Sequence, residues 1–277
     1  MNKLFVFGDT PGVKQLLTYF PRTAIVGIGM ASIRPHYFEE LKSIAKNLDI
    51  PLLIQPRSSA LDFEDFRRDL VALGADRALV NSYSMHLPAS VLNIFPGGAF
   101  NIHSALLPKN RGPNPIQWAL INGDKITGVT LHAVTSEFDQ GGIVDQISVK
   151  ISSHDNWLTL RDKLQYATES LLERNSDLLL RKKIASTPQD ENAATKNSRR
   201  SEVDSFFNLS DRIQIIYRLH KAVLPPLPPA TAVDCSGRQF SLAQQLSLPH
   251  LAILIFGKRV RCLTMRLLGK TDRSVSY

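Results

Sequence analysis

Near the middle of this 277-residue chain, Asn101, Ile102 and His103 close a short apolar run, followed by Leu106-Leu107-Pro108 and Arg111-Gly112. Residues two apart in a strand share a face, so an amide and an imidazole are predicted side by side. Downstream, Ser136-Glu137-Phe138-Asp139-Gln140-Gly141-Gly142 reads as a loop between two β-rich runs, with a carboxylate at its centre. These three groups converging on one crevice suit acyl transfer. The amide can hold a developing oxyanion, the imidazole can donate a hydrogen bond or a proton, and the carboxylate can tune the imidazole. On spacing alone, a single histidine beside a strand is more often structural.

The elements that must position these groups alternate. Apolar runs at Leu4–Phe7, Ala24–Ile28, Pro51–Ile54, Ala78–Val80 and Ala99–Ile102 are separated by amphipathic stretches, among them Tyr37–Leu48 and Asp62–Leu73. Alternation at this pace predicts an α/β, Rossmann-like fold, a mainly parallel sheet with helices on both faces. Ligands then gather at the carboxyl ends of the strands, where Asn101 and His103 fall. Two alternating runs, Thr127–Val134 and Ile143–Ile151, precede a long helix from Asn156 to Arg181. Asn114, Pro115 and Gly123 predict the cap, first turn and end of a helix between them. Gly27-Ile28-Gly29-Met30-Ala31-Ser32 imitates a dinucleotide fingerprint but lacks the third glycine and runs into Ile33-Arg34-Pro35. A close turn is predicted there instead.

Beyond residue 185 the chain turns polar, and 186–204 reads as a linker or an extended surface crossing. A short helix capped by Ser210 is predicted next. Ser236-Gly237 and Gly257-Lys258 each sit between apolar runs and predict two hairpins, hence a small β-rich C-terminal subdomain over 205–277. The net charge is +8, with Lys258, Arg259, Arg261, Arg266, Lys270 and Arg273 set against Asp272 alone in the last 27 residues. Two cysteines exclude a disulfide scaffold or a four-cysteine zinc site. No apolar run approaches the roughly 20 residues of a membrane span. The expectation is a cytoplasmic protein without a metal or a membrane partner.

The string Asn101-Ile102-His103, Leu106-Leu107-Pro108, Arg111-Gly112, Pro115-Ile116-Gln117-Trp118, Asn122-Gly123-Asp124 and Thr127-Gly128-Val129-Thr130 resembles the formyltransferase family that uses 10-formyltetrahydrofolate. The match is dense from Val80 to Gln146; Ser104 stands where many members carry Pro. The resemblance implies a catalytic domain over 1–185 with Asn101, His103 and Asp139 as catalytic residues. Asn101 and His103 would hold the oxyanion of the tetrahedral intermediate, and Asp139 would act through His103 on the proton leaving the attacking amine. It also implies a folate site along Ser82, Tyr83, Ser84, Met85 and Leu87, largely through the backbone, and places Arg111 and Gly112 on the acceptor side.

The segment Gln189-Asp190-Glu191-Asn192-Ala193-Ala194-Thr195, Arg199-Arg200 and Asp204-Ser205-Phe206, with Lys221-Ala222-Val223, Pro226 and Pro228, is similar to the amino-sugar branch. It departs at Lys221 for Arg, at Pro229 for Gly, and by one extra residue before Pro226. In that branch's image, Arg199 and Arg200 would grip a diphosphate. The expected acceptor is a small amine, a nucleotide-linked amino sugar. Methionyl-tRNA reached through the basic tail is the alternative, followed by hydroxyornithine and by a non-catalytic binding protein on the same fold. A homodimer is the base-rate assembly.

Overall fold

The computed structural model describes residues 2–181 and 183–267. The chain forms two compact units, one of residues 1–112, 127–149 and 163–196, the other of residues 113–126, 150–162 and 197–277.

The first unit holds a seven-stranded sheet. Its strands are β1 (Leu4–Phe7), β2 (Ile25–Ala31), β3 (Leu52–Gln55), β4 (Arg77–Asn81), β5 (Ala99–His103), β6 (Ile126–Ala133) and β7 (Ile143–Lys150), in the order β3-β2-β1-β4-β5-β6-β7. The pairs β1–β2, β2–β3, β1–β4 and β4–β5 are parallel, and β6 turns antiparallel onto β5. Helices α1 (Gly12–Leu17), α2 (Phe38–Asn47), α3 (Phe63–Ala72) and α4 (Ala89–Leu92) connect the parallel strands. The order reverses between β1 and β4, and such a switch point opens a crevice at the strand ends. On one side of the sheet Phe5, Phe7, Phe66, Leu70, Val91 and Phe95 form one buried cluster.

The predicted turn at Gly27–Ser32 is instead the continuation of β2. A Cβ on Gly27 would lie 2.8 Å from the Phe5 ring, and one on Gly29 2.6 Å from the Phe7 ring. The two glycines make room for the aromatic rings of β1, which is why the pattern mimics a fingerprint without being one.

Arg77 opens β4 fully buried. Its Nε donates to Gly97 O (2.9 Å) and its Nη1 to Leu179 O (2.7 Å) and Leu178 O (3.3 Å), at the carboxyl end of α6 (Trp157–Leu179). The last carbonyls of a helix have no intrahelical partner, and this guanidinium supplies one. Burial lowers its pKa from the ordinary value.

The second unit contains α5 (Pro115–Asn122), α7 (Ile213–Ala222), the hairpin β8 (Ala230–Val233) with β9 (Gln239–Leu242), and α8 (Leu248–Leu267). The hairpin around Ser236-Gly237 is as expected. The second predicted hairpin is not: Leu251–Phe256 and Arg259 onward form the single helix α8. Pro249 sits in its first turn, where proline is tolerated. Leu251 and Ile255 bury one face, and mid-helix Gly257, read as a turn, costs a helix only about 1 kcal/mol. Helix α7 begins at Ile213, and no side chain caps it. The polar turn before it is closed by Asp211, whose carboxylate accepts from Asn208 N (2.8 Å), rather than by Ser210. Lys270 and Arg273 of the basic tail lie outside the described residues. Among the described residues no helix is long and apolar enough to cross a membrane.

Candidate active site

Strand β5 ends at the crevice with Asn101 and His103 on one face, as the alternation requires. The antiparallel register sets Asn101 opposite His132 and His103 opposite Thr130. The loop after β6 then brings Asp139 back over them. Asp139 Oδ2 accepts from Gly112 N (2.8 Å) and lies 3.5 Å from His103 Nδ1. Its Oδ1 lies 3.3 Å from Asn101 Nδ2 and 3.4 Å from His132 Nε2. The three residues singled out in the sequence are therefore in one cluster, and His132 is a fourth member that the sequence reading missed. Its only signal was its place in an alternating strand, which has meaning once the β5–β6 register is known.

The hydrogen-bond partners fix which ring atoms can work. His103 Nε2 is 2.9 Å from Asn110 O, and His132 Nδ1 is 2.8 Å from Ala133 O. A carbonyl only accepts, so each of these nitrogens carries a hydrogen. The atoms left facing Asp139 are His103 Nδ1 and His132 Nε2. Burial is the largest influence on His103 and pushes its pKa below 6.5, with His132 adding to the fall; Asp139 and the Asn110 carbonyl work against it. For Asp139, burial alone would raise the pKa. The charge of His103, the contacts with His132 and the Gly112 amide outweigh it and bring the carboxyl to about 2. The result is an ionised carboxylate facing a nearly buried, neutral imidazole whose Nδ1 can take up one proton, the resulting imidazolium being paired with the Asp139 carboxylate.

Asn101 Nδ2 also lies 3.1 Å from His132 Nε2, so in this arrangement the amide protons point at His132 and Asp139. Donation to a substrate oxygen requires one of them to turn. The longer contact, to Asp139, is the weaker one to release, and catalytic hydrogen bonds commonly tighten only in the complex.

Residues 187–196 hold this cluster in place. Thr187 bridges Ile143, and Gln189 Nε2 donates to Asp139 O and Gly141 O, both at 2.7 Å. Asp139 adopts φ 56°, a left-handed conformation that an Asp tolerates at some cost, and the Gln189 amide clamps that turn. Gly141 passes so close to Ala133 that a Cβ would meet its carbonyl oxygen at 1.8 Å. Thr195 takes Asn110 N on its Oγ1 (2.8 Å), and its backbone oxygen takes Arg111 N (2.9 Å). Arg111 itself is buried, with Nε and Nη2 on Gln189 Oε1 (3.0 and 2.8 Å) and a fork on Glu191 (2.7 and 2.8 Å). Its hydrogen bond to Glu191 raises its pKa and lowers that of Glu191. The guanidinium assigned to the acceptor side in the sequence is thus engaged as a clamp, and the Gly112 amide is engaged with Asp139.

The loop assigned to folate follows β4. Asp9, at the end of β1, accepts from Ala31 N (2.7 Å) and Ser84 N (2.6 Å). Tyr83 turns inward, its hydroxyl on Gln55 Oε1 (2.7 Å) and its ring 5.2 Å from Phe7, while Gln55 Nε2 holds His86 O (3.0 Å). Burial raises the Tyr83 pKa well above its ordinary value. Leu87 belongs to the buried cluster, which leaves its backbone as the part open to the role expected of this loop. Ser82 is exposed, and Ser84 and Met85 are half-buried. His86 reaches Ser136 O (2.9 Å) and the Phe138 ring, closing one edge of the crevice. Asp9 and Gln55, which fix this loop, were not found from the sequence. Among the described residues, no group of three or more His, Cys, Asp or Glu is placed to hold a metal ion.

In the second unit, Arg200 N donates to Asn114 Oδ1 (3.1 Å), so Asn114 stands at the start of α5 with its side chain turned to the 197–200 segment rather than to the helix. Arg200 Nη2 is directed at Ser205 Oγ (3.0 Å) and Asp204 O (3.3 Å). Arg199 is exposed.

A carboxylate, two imidazoles and an amide gathered beside β5 and β6 make a polar cluster of a kind suited to acyl transfer. The Formyl transferase family model matches residues 30–175, more than half of the chain, and the chain belongs to that family: it is a formyltransferase. Solved structures resemble it over most of its length. A 4-N formyltransferase from Francisella tularensis is 21% identical, covering 89% of this chain and 98% of its own, with a TM-score of 0.72. A sugar N-formyltransferase from a Shewanella species is 19% identical, covering 89% and 100%, at 0.68. An N-formyltransferase from Helicobacter canadensis, solved with folinic acid and dTDP-3-aminofucose, is 19% identical, covering 80% of each chain, at 0.62. At these identities the likeness carries the fold.

Proposed function

We propose that this formyltransferase takes its formyl group from 10-formyltetrahydrofolate and passes it to the amine of a nucleotide-linked amino sugar, with Asn101, His103 and Asp139 as catalytic residues. The observation that carries the reading is the cluster itself: His103 Nδ1, a bare basic nitrogen, faces the Asp139 carboxylate at 3.5 Å. The co-substrate supplies an activated formyl carbon on a nitrogen leaving group. His103 Nδ1 takes the proton that the acceptor amine loses, and Asp139 stabilises the imidazolium that results. The same proton then passes from His103 to the departing nitrogen, so the cluster ends as it began. Asn101 Nδ2, once turned from Asp139, donates to the oxygen on which negative charge develops. Ser82, Ser84 and Met85, with the backbone of Tyr83 and Leu87, border the folate site.

The amino-sugar acceptor is supported by the 189–206 segment and by solved relatives described as sugar N-formyltransferases. Methionyl-tRNA remains a second reading because the second unit is basic. Of the residues expected as its footprint, however, Lys258 pairs with Asp234 (3.8 Å), and Arg259 donates to the carbonyls of Leu209 and Asp211. The test offers 10-formyltetrahydrofolate with separate pools of nucleotide amino sugars, methionyl-tRNA and hydroxyornithine, read by mass. Addition of one CO in the sugar pool is expected. Addition on methionyl-tRNA or hydroxyornithine alone would refute the acceptor, and release of free formate without any addition would mark a hydrolase.

A further inference from the structure

We propose that Cys235 and Cys262, the two cysteines of the chain, are a dithiol that closes to a disulfide by exchange with a small-molecule disulfide, a redox-modification site within the second unit. They stand 27 residues apart, Cys235 in the turn between β8 and β9 and Cys262 on α8. Both are half-buried. The backbone N–H of Cys235 donates to Cys262 Sγ at 3.2 Å. A sulfur so close to that nitrogen is within reach of the Cys235 side chain by rotation about χ1. The approach is fixed from both sides. Asp234 closes the turn, its Oδ1 accepting from Ser236 N (2.9 Å), Ser236 Oγ (2.6 Å) and Arg238 N (3.1 Å). Lys258 precedes Cys262 by four residues and shares its helix face. Its Nζ lies 3.8 Å from Asp234 Oδ2 and 4.5 Å from the centre of the Phe240 ring. Two successive turn residues thus meet two positions one helical turn apart, Asp234 with Lys258 and Cys235 with Cys262.

The order of the two steps follows from the surroundings. The hydrogen bond with the Cys262 side chain is the largest influence raising the Cys235 pKa, followed by burial and the charges of Cys262 and Asp234. The thiolate is the attacking form, so Cys262 opens the exchange. Its sulfur bonds to one sulfur of glutathione disulfide, the S–S bond of the reagent breaks, and the first glutathione leaves. Cys235 then attacks Cys262 Sγ and expels the second glutathione. Each cysteine proton ends on a glutathione thiol, and the two electrons given up by the protein sulfurs reduce one glutathione disulfide to two thiols. The bond fastens the hairpin turn to α8 and closes a loop of the chain, which favours the folded state over the unfolded one. By the same linkage, a fold that already holds the sulfurs together favours the bond.

The reduced full chain is equilibrated with mixtures of glutathione and glutathione disulfide, once native and once unfolded in urea. Samples are quenched with N-ethylmaleimide and read by intact mass and on a non-reducing gel. The native chain is expected to lose two hydrogens, take up no maleimide and run as a monomer. It should do so at a ratio of disulfide to thiol at least about tenfold lower than the unfolded chain needs. A digest should contain one pair of peptides joined through Cys235 and Cys262. Cys235→Ser and Cys262→Ser should each stop with a single maleimide or a single glutathione on the remaining thiol. The proposal is overturned if the native chain carries two maleimides or two glutathiones at every ratio. It is equally overturned by a native midpoint no lower than that in urea, or by a disulfide-linked dimer in place of the internal bond.

Discussion

In the unit that carries the seven-stranded sheet, eighteen basic residues stand against seventeen acidic ones, and the polar side chains at the ends of β5 and β6 are bonded to each other. In the other unit the balance is fifteen to eight, and apolar side chains of α8 face outward. The first region places almost every polar atom of its site against a named partner, so a change there removes support from several groups at once. The second turns Ile253, Phe256 and Leu263 of α8 outward, and none of them belongs to the polar cluster. Substitution should therefore be felt in catalysis in the first region and should leave it unchanged at the exposed face of α8 in the second.

The largest effects belong to the cluster. His103→Ala should lower kcat/KM by roughly 10²–10⁴-fold, and Asn101→Ala by roughly 10²–10³-fold, in steady-state formyl transfer with an unchanged melting temperature. Retention of activity by either would break the comparison at its stronger end. Next come the residues that hold the cluster. Gln189→Ala frees the left-handed turn at Asp139 and should cost about tenfold in kcat with little change in KM. Arg111→Lys should behave as Arg111→Ala, since one ammonium cannot reproduce the fork on Gln189 and Glu191.

Stability separates the same unit from its chemistry. Arg77→Met leaves the Gly97, Leu178 and Leu179 carbonyls without their donor and should cost about 2–4 kcal/mol in denaturant titration, with kcat unchanged in the folded fraction.

A subtler effect is in pH dependence. Burial holds His103 below 6.5, so its base form dominates at neutral pH and the acid limb of kcat/KM should lie below 6.5. Asp139→Asn removes the charge that raises His103 and should move the limb to still lower pH. Asp139, at about 2, stays ionised throughout that range. Its folded pKa is depressed, so its contribution to stability is complete above the unfolded value of 3.8 and is lost as pH falls through about 2. The smallest catalytic effect is expected from Leu263→Ser on the exposed face of α8, namely none in steady-state formyl transfer.

The sheet, the helices of the first half and the pairing of Asn101 with His103 were legible because they obey local rules: period-two and period-3.6 patterns, and a histidine and an asparagine sharing a strand face. His132 was not, since its role arises from cross-strand register. Asp9, Gln55, Gln189 and Glu191 were not, since each acts on a loop distant in sequence. Gly27 and Gly29 were misread because a glycine that admits a neighbouring ring leaves the same trace as one that makes a turn. Gly257-Lys258 misled for a related reason: α8 is apolar on two faces, and its unbroken hydrophobic runs look like strands flanking a turn. Arg111 was read as a ligand for substrate; its partners, Gln189 and Glu191, lie some eighty residues downstream, beyond any local pattern.

The most direct test compares wild type with the combined Asn101→Ala, His103→Ala and Asp139→Ala variant in a single turnover, with 10-formyltetrahydrofolate and a nucleotide amino-sugar pool, read by mass. Wild type should add one CO to an amine, and the variant, with a native circular dichroism spectrum, should add none. Transfer by the variant at the wild-type rate would contradict the assignment of the site, and the chemistry would have to lie elsewhere on the fold.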